Sequence, residues 1–396
     1  MNDQKNTTPF QDLQYCIRCC IPETQEGVDF DEMGICQACR SSEEKMHINW
    51  AEREKDLRAI LDDAKAKSGD NYDCIIPISG GKDSTFQLHV LTKVYGMKPL
   101  AVTFSHNWFS GTGMYNLLNS LEKFNVDHIM FTPNRNLVNR TARRSLEAIG
   151  DACWHCHAGV GAFPLQVAVA YKIPLLIWGE SISESSGRAS YKCKRLQFDK
   201  DYFLAVSAKR KPEEMVCDYL TMKDLAPFKN PTPEECLKVG VHGIHLGDYI
   251  FWDDERQMEF VRDNYAWKET NIDGTYKRYK SAECIMPGVH DFTCYLKRGY
   301  GRGTFHASVD VRAGLLTREE GFELAKKHDS MRPDALDYYL KITGLTEDEF
   351  HKIMEGHRLK KLGKIAMPIN FKSKEQRKSV KPFVEELIEK TNKENL

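Results

Sequence analysis

Ser79-Gly80-Gly81-Lys82-Asp83-Ser84 stands between a short apolar run at 73–78 and a helical pattern over 84–95. No other feature limits the fold as much as this order of strand, glycine turn and helix. Two adjacent glycines allow a tight turn that brings backbone N–H groups against phosphate oxygens. The helix N-terminus adds a partial positive charge at the same place. Lys82 supplies a cation, and the Ser79 and Ser84 hydroxyls supply hydrogen bonds. Asp83 is placed to help hold Mg²⁺ or to orient the loop. The stretch before the lysine is too short for the Walker pattern, which uses a longer loop.

The surroundings of the loop repeat its logic. Apolar runs over 100–104, 128–131 and 175–178 read as strands. Helical spacing marks 50–67, 113–124, 137–149 and 159–171. Short apolar strands alternating with helices predict an α/β fold with a parallel sheet covered by helices on both faces. The loop resembles the PP-loop of ATP pyrophosphatases, which release pyrophosphate and transfer AMP to an oxygen. That resemblance implies ATP and Mg²⁺ as cofactors. It also implies further nucleotide contacts at the carboxyl ends of neighbouring strands, at Ser105 and at Gly179-Glu180.

Thirteen cysteines in 396 residues, with no apolar leader and no run long enough to cross a bilayer, predict a reducing cytoplasmic setting without a membrane. Clustered cysteines then read as metal ligands before disulfides. Cys16-x-x-Cys19 and Cys36-x-x-Cys39, with sixteen residues between the pairs, predict a Zn²⁺ ribbon. A third pair, Cys153 and Cys156 in Cys-Trp-His-Cys-His, precedes the fourth strand. Its placement is similar to that of the CxxC in PP-loop tRNA thiolases, where a distant third cysteine completes an iron–sulfur cluster. Cys193, Cys217, Cys236, Cys284 or Cys294 would be that third ligand. Alternatively His155 or His157 completes a zinc site, or the pair is buried and binds no metal. Because of this pair, Cys153 and Cys156 join Lys82 and Asp83 as candidate catalytic residues.

After about residue 190 the pattern weakens. Residues 208–240 read as helical with proline breaks, and 241–306 are rich in glycine and aromatics. Residues 317–357 read as short helices, the first capped by Thr317 with Glu320 three residues on. Nine Lys/Arg against the single acid Glu375 mark 357–381 as a solvated tail. The chain thus divides into a disordered lead (1–14), a zinc ribbon (15–45) and a nucleotide-binding domain (46–205). A mainly helical substrate or partner region (206–356) and a basic tail (357–396) follow. A formal net charge of −1 gives no basic surplus, so no nucleic-acid partner is expected.

Residues 153–180, the segment His245-Leu246-Gly247-Asp248-Tyr249-Ile250-Phe251-Trp252-Asp253, Gly299–Gly303, His306–Arg312 and Leu316–Gly321 resemble the N-acetyl sugar amidotransferase family over about residues 15–355. That family serves bacterial surface-polysaccharide and flagellin-sugar pathways. The resemblance implies ATP-dependent adenylation of an acetamido oxygen on a nucleotide-linked sugar, followed by replacement with ammonia to give an acetamidino group. It implies separate ammonia-supplying partners, similar to the glutaminase and cyclase subunits of imidazole glycerol phosphate synthase. Candidate substrate contacts are Asp248, Arg302, His306, Asp310 and Arg312. Asp253 is a further candidate, with Tyr249 or Trp252 packing on the sugar ring. The alternative reading is a tRNA thiolase.

Overall fold

The computed structural model describes residues 8–181, 183, 191, 208–363 and 367–394. Five parallel strands form one sheet: β1 (Cys74–Pro77), β2 (Pro99–Phe104), β3 (Asp127–Phe131), β4 (Leu175–Trp178) and β5 (His242–His245), in the order β3-β2-β1-β4-β5. The helices are α1 (Gln37–Lys45), α2 (Trp50–Ser68), α3 (Lys82–His89), α4 (Gly111–Phe124), α5 (Arg135–Ile149), α6 (Trp154–Tyr171) and α7 (Pro233–Val239). Then come α8 (Asp254–Tyr265), α9 (Pro287–Arg298), α10 (Arg302–Arg312), α11 (Arg318–Asp329), α12 (Ala335–Thr343), α13 (Glu347–His357) and α14 (Phe383–Glu394). Among the described residues no helix is long and apolar enough to cross a membrane.

The strand alternation explains why both faces are covered. Cys74, Ile76, Ala101, Leu175 and Ile177 pack with Leu57 and Leu61 of α2, Leu88 of α3 and Leu117 of α4. Ile75, Leu100, Val102 and Leu176 point the other way, onto Leu165 and Ala168 of α6. Each fully buried aliphatic side chain contributes roughly 1.5–3 kcal/mol. The close seat of α6 depends on Gly159, where a Cβ would stand 2.2 Å from the Phe104 ring.

Several expected boundaries move. The fifth strand comes from the region assigned to substrate binding. Leu175 pairs with His242 and Trp178 with His245, so the nucleotide-binding sheet extends past residue 205. The sixth helix begins at Trp154 rather than 159, with Cys153 as its N-cap. Residues 1–7 lie outside the described residues, but Phe10 and Leu13 of the expected lead are buried against α9 residues. The C-terminal stretch is not a free tail either. Asn370 bonds back to Ser330 and Arg332, the Phe383 N–H donates to the Phe109 carbonyl at 2.8 Å, and Glu385 pairs with Arg135. The Thr317 cap and its Glu320 partner form as the spacing predicts.

Candidate active site

The sheet order reverses direction between β1 and β4, so their carboxyl ends open a crevice, the usual ligand position in a doubly wound sheet. The Ser79–Ser84 loop leaves β1 into that crevice. Gly80 has φ +82°, and a Cβ there would lie 2.7 Å from the Leu117 nitrogen, so only glycine fits. Its carbonyl accepts the Trp267 indole N–H at 2.9 Å. Ser79 Oγ accepts the Gly81 N–H, and Ser84 Oγ donates to the Gly81 carbonyl at 3.1 Å. The serines thus shape the loop that the glycines permit.

Lys82 is almost wholly buried, at 1% exposure, yet its ammonium is shared by two carboxylates: Asp83 and, at 2.6 Å, Asp254 at the start of α8. The other Asp254 oxygen takes Lys280 at 2.6 Å, and Lys280 reaches Glu180 at 3.2 Å. Burial alone would raise the Asp254 carboxyl, but Lys280 and Lys82 together hold it well below the usual range. Glu180 goes the other way: Lys280 pulls it down, but burial and the nearby Asp83 and Asp254 push it up further. Asp83, Glu180 and Asp254 each place a carboxylate oxygen within 4.8 Å of the others, a hard-oxygen set that suits Mg²⁺. The residues therefore fit the cation that the loop implies. Asp254 and Lys280 were not foreseen. The sequence named the adjacent Asp253, which caps α8 by accepting the Arg256 N–H. Glu283 was also missed: its buried Oε2 has no hydrogen-bond partner among the described residues and approaches Gly81. Burial raises its carboxyl.

From this cluster a cavity of about 690 Å³ runs to the cysteine ribbon. Glu180, Asp254 and Lys280 line one end, Cys39 and Glu43 the other. His306, Asp310 and Arg312, all on α10, form a shared wall. His306 Nδ1 lies 2.7 Å from the Thr275 hydroxyl, and burial drives the imidazole well below its usual value, so it is neutral. Asp310 pairs with Lys277 at 2.7 Å and accepts the Tyr276 hydroxyl. Exposed Phe251 lines the cavity, as do the mostly buried Trp252 and the expected Asp253, whereas Tyr249 is a core residue outside the lining.

The remaining candidates lie elsewhere. Asp248 is buried on Ser181 and does not line the cavity. Arg302 is held by Asp291 and bonds the Lys280 carbonyl and Ser281 hydroxyl, so it positions the segment carrying Lys280. Ser105 is buried at the end of β2, its Oγ accepting the Asn107 N–H. Gly179 lies beside the Trp252 ring. Cys153 and Cys156 line no part of the cavity. Burial pushes both thiols up. Among the described residues they belong to no set of three close metal donors. Cys193 lies outside the described residues.

The ribbon meets its expectation in geometry. Tetrahedral Zn–S bonds of about 2.3 Å place sulfurs about 3.8 Å apart. Cys16 and Cys39 are separated by 3.8 Å, Cys19 and Cys36 by 3.7 Å. The Arg18 and Cys36 amides point at Cys16 Sγ, and Arg312 approaches Cys19 Sγ at 3.9 Å. Arg318 bonds the Cys16 and Cys19 carbonyls, which fastens the ribbon to α11.

Residues 273–373 match the family model described as LPS biosynthesis protein WbpG-like, C-terminal domain. This stretch is thus similar to a WbpG-like C-terminal domain. It supplies Lys277, Lys280 and the α10 residues of the cavity, and most of the remaining lining comes from α1, Glu180 after β4 and residues 251–256 after β5. A 105-residue stretch is 30% identical to the uncharacterized protein MJ1599 of Methanocaldococcus jannaschii, covering 26% of this chain and 37% of that protein. The matched stretch therefore spans little more than a third of that relative. The structure of NMN synthetase from Francisella tularensis aligns with 57% of this chain and 98% of its own, at 12% identity and a TM-score of 0.24.

Proposed function

We propose that this chain is a cytoplasmic, ATP-dependent amidotransferase that converts an N-acetyl group on a nucleotide-linked sugar into an acetamidino group. One observation supports the reading: Glu180, Asp254 and Lys280, tied by ion pairs to Lys82 of the loop, line a cavity that α10 of the WbpG-like stretch also walls. The LPS-biosynthesis role of the proteins in that family points to a sugar as the second substrate.

An amide oxygen is a poor leaving group. In the proposed reaction it attacks the α-phosphorus of ATP, and the bond to pyrophosphate breaks. Ammonia then adds to the activated carbon, and AMP departs with the former amide oxygen. Lys82 and the Gly80-Gly81 amides stabilise charge on the leaving pyrophosphate. Mg²⁺, held by Asp83, Glu180 and Asp254, would neutralise phosphate oxygens. Neutral His306, with Nδ1 engaged by Thr275, keeps its other nitrogen for a proton that ammonia must lose. Phe251 offers an aromatic face to the sugar or base. Ammonia would come from separate glutaminase and cyclase-like subunits.

The deciding assay is pyrophosphate release from Mg·ATP with ammonium, against a panel of UDP- and CMP-linked diacetamido sugars. The expected result is release with one sugar and a product lighter by the difference between O and NH. Release only with tRNA and a sulfur donor would favour a thiolase instead. Cys153→Ser gives an independent check: a thiol this deeply buried is a weak nucleophile, so turnover should stay within about threefold of wild type. Abolished turnover with unchanged melting would place Cys153 in the chemistry.

A further inference from the structure

Away from the cavity, a second set of donor atoms converges where the sheet domain meets the WbpG-like domain. Asp151 lies in the link before α6, His157 in the first turn of α6, and His290 in the first turn of α9. One ligand atom from each lies within 4.8 Å of the other two. His290 Nε2 stands 3.8 Å from Asp151 Oδ2, and the two imidazole centres are 5.2 Å apart. At these separations the three groups are too far apart to hydrogen-bond one another, yet they point into a common space. A tetrahedral ion with bonds of ~2.1 Å to nitrogen and oxygen separates its ligands by roughly 3.4 Å.

The supporting contacts have the form expected around a metal. Asp151 is buried, and its Oδ1 accepts the Cys153 N–H at 2.8 Å, which leaves Oδ2 to face the imidazoles. Lys209 approaches that oxygen only to 3.9 Å and is drawn toward Glu26 at 3.3 Å. On the far side of His290, Nδ1 has no hydrogen bond but faces Asp291 Oδ1 at 3.8 Å, and Asp291 is in turn held by Arg302. A carboxylate that hydrogen-bonds a ligating histidine fixes its ring and tautomer, and Asp291 stands where a small ring rotation on metal binding would make that bond.

We propose that Asp151, His157 and His290 bind one divalent first-row transition metal, which pins α9 of the WbpG-like domain to the start of α6. Two imidazoles and one carboxylate suit Zn²⁺, Fe²⁺ or Mn²⁺ and differ in kind from the four thiolates of the ribbon. Three protein ligands leave a further position for water. The site is independent of the reaction assigned to the cavity.

The test loads the full-length protein with Zn²⁺, desalts it, counts metal by mass spectrometry and locates it by anomalous scattering at the zinc edge. The expected result is two zinc ions per chain, one in the ribbon and one among Asp151, His157 and His290. His157→Ala and His290→Ala should each drop the count to one while the ribbon peak persists, which also shows that the variant is folded. Asp291→Asn should weaken the second site about 10- to 100-fold. A wild-type count of one after incubation with Zn²⁺, and likewise with Mn²⁺ or Fe²⁺, overturns the proposal whatever the variants do. So does a count of two that survives both histidine substitutions.

Discussion

The ribbon and the PP-loop cluster open onto the same cavity but are assembled in opposite ways. In the ribbon, the most distant thiol pair is 23 residues apart, and the geometry already matches a tetrahedral ion. In the cluster, Lys82 and Asp254 are 172 residues apart and meet because the segment after β5 folds back onto the loop, where Lys280 of the WbpG-like stretch joins them. The ribbon holds like groups that need a cation to coexist, whereas the cluster alternates two lysines with three carboxylates, so most of its charge is already paired within the protein. The first arrangement is suited to a fixed structural ion. The second can exchange its internal partners for phosphate and a cation, as a reaction site must.

The largest expected effect breaks the cluster at its centre. Lys82→Ala should lower pyrophosphate release by about 10³-fold or more, since it removes a charge aimed at the departing phosphates. ATP binding, followed by calorimetry, should weaken as well, while ribbon zinc stays bound. Unchanged turnover would show that the loop is inert. Asp254→Asn comes next. It leaves Lys82 with Asp83 and Lys280 with Glu180, so the fold should survive while turnover falls by about 10²-fold. A rise in the Mg²⁺ concentration needed for half-maximal rate would identify Asp254 as a cation ligand. An unchanged Mg²⁺ requirement would confine it to positioning the lysines.

These two residues also mark where the sequence stops being legible. The sheet, the loop and the ribbon can be read because each is written locally: strand period, paired glycines, CxxC spacing. Lys82 and Asp83 are part of such a pattern. Asp254 is one acid beside another at a helix start, and nothing local tells the capping Asp253 from the ion-paired, half-buried Asp254. Lys280 follows an aromatic stretch with no period at all. The fifth strand escaped for a similar reason: His242-Gly243-Ile244-His245 contains a single β-branched residue, and its pairing with β4 decides its conformation. Arg302 shows the converse error, a cation that suits a diphosphate by type but is already held by Asp291.

Cys16→Ser addresses the ribbon side of the comparison. Losing one of four thiolates should release zinc and cost about 2–3 kcal/mol of stability, read as a lower melting temperature. Turnover well below that temperature should change little. A folded, zinc-bearing variant that had lost activity would instead make the ribbon part of the chemistry, and the contrast between the two regions would collapse.

The smallest effect concerns α10, the wall that both regions share. Asp329 accepts the Thr304 hydroxyl at 2.6 Å and the Thr304 amide, which anchors the first turn of that helix. Burial pushes its carboxyl up to about 6, from an ordinary value near 4. A raised carboxyl pKa means that the folded state holds the proton more tightly than the unfolded chain. The stability that Asp329 contributes is therefore greatest below about pH 4, falls as pH rises toward 6 and is flat above that, a total of about 2–3 kcal/mol at most. Asn cannot ionise, so Asp329→Asn should remove this decline while keeping an oxygen for Thr304. Melting temperatures from pH 4 to 7 decide the matter. A decline of equal slope in both proteins would assign it to other groups and leave Asp329 as a hydrogen-bond acceptor alone.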